Sequence, residues 1–154
     1  MVIGSLVFTS VGCDQSLVVS DEAETVFRVA PMTDSEIHGA LANAHDSDIA
    51  VVFVNMGWSI TSVSSVPKYA QLVMDYYSQR PKSDLLFHIV DCTNLSHDSE
   101  VFRDFPDLRQ IGPGFFSGYG ELYWFREGRM VHIESIAQIE SLADFIAKTD
   151  AVMQ

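Results

Sequence analysis

Apolar positions along the chain change their spacing several times, and each change marks an element. Thr33-Asp34-Ser35-Glu36 has the form of a capping box, in which a threonine oxygen takes an early helix N–H and the glutamate returns a bond. Ile37, Ala40, Leu41 and Ala44 then recur at helical spacing, which predicts a first helix to about His45. Thr25 to Val29, β-branched and aromatic, reads as a short strand ahead of it. Ile49 to Val54 is an unbroken apolar run between Asp48 and Asn55, the pattern of a central strand covered on both faces.

A second helix is expected just after Trp58 and on to about Gln79, with Val66, Tyr69, Ala70, Val73, Met74 and Tyr77 on its apolar positions. Pro67 falls inside it, where the missing donor predicts a kink. Leu85 to Val90 reads as a further buried strand, and Ser99 to Phe105 as a short helix closed by Pro106. Glu121 to Arg126 and Arg129 to Glu134, joined through Glu127-Gly128, form an antiparallel hairpin pattern. A final helix is expected from Ile139 to about Lys148. The order is β-α-β-α-β-α-β-β-α, an α/β chain with no internal repeat.

Composition narrows the function classes. The 154 residues suit one core, and an apolar content of 47% is too high for a disordered chain. A formal net charge of -12 argues against nucleic acid, because phosphate binding runs on Lys and Arg displacing counterions. It favours neutral or basic partners. The two cysteines, Cys13 and Cys92, stand in neither a C-x-x-C nor a metal-ligand spacing. His45-Asp46-Ser47-Asp48 and His97-Asp98-Ser99-Glu100 resemble metal clusters in composition, but Asp and Ser in such runs favour loops and caps, so no metal is expected. His88 and His132 lie on predicted strands and read as structural, satisfied histidines. Two readings stand for residues 1–24. One is an extra strand. The other is the remnant of an export signal, with Cys13 as the lipidated residue and hence the one route to a membrane. Without that signal the reading is cytoplasmic.

The stretch Val51-Val52-Phe53-Val54-Asn55-Met56-Gly57-Trp58, followed by Ser59-Ile60-Thr61-Ser62 and Pro67, resembles the active-site region of thioredoxins. In that family an apolar strand leads into Trp-Cys-x-x-Cys at a helix start, with a proline five residues after the second cysteine. Leu122-Tyr123-Trp124-Phe125-Arg126-Glu127-Gly128 is similar to the family's later strand and turn. The resemblance implies a thioredoxin fold over residues 25–154, with a central mixed sheet flanked by helices and residues 1–24 as an N-terminal extension. It also implies that Ser59 and Ser62 occupy the cysteine places, Phe53 that of a buried carboxylate, and Gly120 that of a cis-proline. A serine hydroxyl stays protonated at neutral pH and forms no mixed disulfide, so a redox-inactive member with no cofactor is expected.

Removing thiols leaves the surface that holds an extended polypeptide. Trp58 and Ile60 are expected on one rim of that groove, and Phe115, Phe116 and Tyr119 on the other. The leading reading is a non-catalytic protein-binding or chaperone-like module whose partner is a protein or peptide segment. A second is a thioredoxin-fold oxidoreductase or transferase using Cys92 or another site. A third is a structural role, as a lipid-tethered extracytoplasmic domain or an oligomer subunit.

Overall fold

The computed structural model describes residues 30–96, 98–106 and 118–154. The expected strand at Thr25–Val29, the N-terminal extension with Cys13, and Phe115 and Phe116 lie outside the described residues. The elements run α1 (Asp34–Asp46), β1 (Ile49–Asn55), α2 (Ile60–Gln79), β2 (Leu86–Asp91), α3 (Val101–Asp104), β3 (Glu121–Arg126) and β4 (Arg129–Ser135). A 3-10 turn (Ile136–Gln138) and α4 (Leu142–Met153) close the chain.

The four strands form one mixed sheet in the order β2-β1-β3-β4. β1 lies parallel to β2 and antiparallel to β3, and β3 pairs antiparallel with β4. Two-sided cover explains the unbroken apolar run of β1. Ala50, Val52 and Val54 face α1 and α3 with Ile37, Leu41 and Phe102, whereas Val51 and Phe53 face α2 and α4 with Tyr69, Val73 and Phe145. Trp124 is fully buried on the second side and donates its indole N–H to Thr149 Oγ1 at 3.1 Å. Among the described residues no helix is long and apolar enough to cross a membrane.

Local chemistry sets the boundaries. The capping box at Thr33 and Glu36 forms in both directions. α2 runs through Pro67 to Gln79. α3 is shorter than the expected span: Ser99 stays outside it, its hydroxyl donating to Asp34 and accepting the Val101 N–H at 3.2 Å. The last helix is displaced from its expected start at Ile139. Ser135 caps the 3-10 turn, and Ser141 then caps α4, accepting the Asp144 N–H at 3.2 Å. α4 also runs past Lys148 to Met153. His88 corrects the expectation of a satisfied histidine: its Nε2 is buried with no partner among the described residues, and burial lowers its pKa. His132 does have neighbours, with Nε2 3.4 Å from Glu134 and its ring 5.1 Å from that of Trp124.

Candidate functional site

β1 and β2 end side by side, with Asn55 in register with Asp91, and the chain turns from there into α2. Asn55 and Asp91 are both buried there, and buried polar side chains need hydrogen-bond partners. Asn55 donates from Nδ2 to Asp91 Oδ2 at 2.6 Å, and the other carboxyl oxygen accepts the Thr93 N–H at 2.9 Å. Thr93 Oγ1 accepts the Gly57 N–H at 2.6 Å. Ser62, fully buried in the first turn of α2, donates to Asn55 Oδ1 at 3.0 Å and accepts the Met56 N–H at 2.9 Å. Its hydroxyl is spent twice.

Ser59 is the N-cap of α2: its Oγ accepts the Ser62 N–H at 3.3 Å and donates to the Gly118 carbonyl, from a chain segment 59 residues away. Among the described residues neither serine bonds an imidazole. The two alcohols hold the helix entry together, and that arrangement contains no nucleophile and base pair.

Phe53 is buried with its ring stacked on Tyr69 at 5.0 Å and 19°. The Tyr69 hydroxyl lies 3.1 Å from the Val51 carbonyl and 3.0 Å from that of His88, and burial raises its pKa well above the usual value. Gly120, at φ 72°, packs against Phe53: a Cβ there would lie 3.0 Å from the Phe53 ring and 3.3 Å from Ile136. The residue that abuts the Ser59 turn is Gly118, two positions earlier. A Cβ on it would fall 2.7 Å from the Trp58 ring and 2.9 Å from Ser59 Cβ. Side-chain count cannot tell these two glycines apart in sequence; packing does.

Trp58, Ile60 and Tyr119 are 59%, 87% and 61% exposed, and Val63, one turn further along α2, is 42% exposed. The contact between Gly118 and Trp58 brings Tyr119 to the same end of the molecule. Glu121 at the start of β3 is buried, a position the hairpin pattern gave no reason to single out. Asn55, Asp91 and Thr93 were also missed as a group; the available signal was that two apolar runs each end in a polar residue.

Cys92 is buried, and desolvation, with the charges of Asp91 and Asp34, pushes its thiol well above the usual range. A thiol held protonated there is a poor nucleophile. Asp46 lies in α1 and Ser47 turns back to donate to the Ala44 carbonyl at 2.7 Å; His97 lies outside the described residues. Among the described residues no group of three or more His, Cys, Asp or Glu side chains could hold a metal ion.

No family model matches the chain, and no curated protein matches it. Solved structures do. The first thioredoxin domain of mouse protein disulfide-isomerase A4 aligns with a TM-score of 0.51 and 15% identity, over 88% of this chain and 86% of that one. Human ERp44 in its zinc-bound form aligns with a TM-score of 0.51 and 20% identity, over 79% of this chain and 32% of that one. Thioredoxin O2 from Arabidopsis thaliana, in the oxidized state, aligns with a TM-score of 0.50 and 13% identity, over 79% of this chain and 90% of that one. At such identities the likeness speaks for backbone architecture. With its mixed four-stranded sheet flanked by helices, the chain has the thioredoxin fold.

Proposed function

We propose that this module binds an extended, apolar segment of another polypeptide and performs no dithiol–disulfide exchange. The observation that carries the reading is the pairing of two features at one end of the sheet. The serine hydroxyls are fully engaged in hydrogen bonds, while Trp58, Ile60 and Tyr119 beside them stand in solvent. Large aromatic side chains offer contact area at little rotamer cost, and exposed ones grouped together favour an interaction surface. The net charge of -12 selects neutral or basic segments over acidic ones. The buried, protonated Cys92 supplies no alternative thiolate.

The test is fluorescence anisotropy with a labelled, permanently unfolded basic polypeptide. The double variant Trp58→Ala, Tyr119→Ala is expected to weaken binding by about a hundredfold, since two aromatic anchors each account for about 1–2 kcal/mol. Its melting temperature should barely move, because both side chains are exposed. Unchanged affinity in the double variant, or reduction of insulin disulfides by the native protein, removes the reading.

A further inference from the structure

Glu121 opens β3 at the end of the sheet that carries Trp58, yet it is 4% exposed. Its Oε1 accepts the Tyr119 N–H at 3.3 Å, a long bond, and its Oε2 is buried with no partner among the described residues. Val54 of β1 and Ser135 of β4 stand in register with it and bring no charge. Among the described residues, Tyr123 on its own strand is the titratable group facing it, with Cys92 beyond; burial raises the pKa of both, which favours their neutral forms. No cation offsets the carboxyl among the described residues: desolvation dominates, and the backbone N–H groups of Tyr119 and Glu121 oppose it.

The segment that Glu121 fastens is jointed. Gly118 and Gly120 both sit at φ 72°, with Tyr119 between them. Gly118 takes the Ser59 hydroxyl on its carbonyl and lies against the Trp58 ring. We propose that Glu121 is a proton-operated latch: protonated, it stays buried and holds the Gly118–Gly120 turn against Trp58; ionised, it swings to water and releases the turn. A neutral carboxyl can lie under the sheet end at little cost. A carboxylate there keeps two backbone donors, one of them distant, and water offers it more. Leaving breaks the Tyr119 contact, and the two glycines provide the freedom for the turn to follow. Desolvation already places the proton's departure above the ordinary 4.5, so the release falls on the neutral side of that value. The latch belongs to the protein alone and stands whether or not the Trp58 face holds a peptide.

Fluorotryptophan labelling reads it directly. Trp58 is exposed, Trp124 is buried on the other side of β3, and Trp58→Phe assigns the two fluorine resonances. Titrating from acid to neutral pH, the Trp58 resonance and the carboxyl carbon resonance of Glu121 are expected to shift with one midpoint, above 4.5. In Glu121→Gln the Trp58 step should vanish. A Trp58 step that survives in Glu121→Gln overturns the latch. So does a Trp58 midpoint different from that of the carboxyl carbon, or no Trp58 step while Glu121 titrates. The comparison of midpoints needs no variant, so it decides the matter even if Glu121→Gln does not fold.

Discussion

Replacing Ser62 with alanine removes one oxygen from a fully buried position and strands two groups. The Met56 N–H loses its acceptor at 2.9 Å, and Asn55 Oδ1 loses its donor at 3.0 Å. A buried polar group left without a partner costs about 1–3 kcal/mol, and a void of one oxygen gives water too little room to replace the contact. The two losses share one site and do not add fully, so we expect a destabilisation of about 2–4 kcal/mol. For a chain of this size that is a fall in melting temperature of roughly 5–15 °C. Urea unfolding followed by far-ultraviolet circular dichroism measures it. Ser64→Ala serves as control, because its exposed hydroxyl returns to the Thr61 carbonyl of its own helix. If Ser62→Ala unfolds within about 0.5 kcal/mol of the native protein, the scatter of an ordinary surface change, Ser62 is not holding the helix entry.

Further outcomes follow from the same contacts. Gly118→Ala places a Cβ 2.7 Å from the Trp58 ring on a residue at φ 72°, so it should destabilise by about 1–2 kcal/mol from backbone strain and also shift Trp58 fluorescence. Glu121→Gln should change the pH dependence of stability in a fixed direction. The folded carboxyl titrates above its ordinary 4.5, so the native state keeps a proton that the unfolded chain has lost, and native stability falls as pH rises through that window. Urea midpoints of the variant should be flatter there, and parallel curves would refute the assignment. Cys92 should resist a thiol reagent in the native protein and react at the rate of unfolding; fast labelling without denaturant would contradict its burial.

Much of the architecture was legible because local rules and tertiary packing agree. β1 could be read from an apolar run bounded by Asp48 and Asn55, and α1 from its capping box, since both signals are contained in a few neighbouring residues. α4 was misplaced because Ile139 fits helical periodicity, while the serine cap that decides the start lies two residues on at Ser141. The site was harder. Ser59 and Ser62 stand out by position, but their partners do not: Gly118 is 59 residues from Ser59, and Asp91 is 36 from Asn55. No periodicity reveals which of two nearby glycines meets a tryptophan, nor that a glutamate at a strand start turns inward. Those facts arise when β1, β2 and β3 are set in register.

The tie between Ser59 and Gly118 has a consequence for where such a domain can keep its form. A dithiol at a helix entry answers to the ambient glutathione potential, cycling between linked and unlinked states as electrons are supplied or withdrawn. An alcohol bonded to a carbonyl has no oxidation state to exchange. On the proposed reading, the bond between Ser59 and Gly118 is therefore indifferent to electron supply, as a dithiol in the same place would not be.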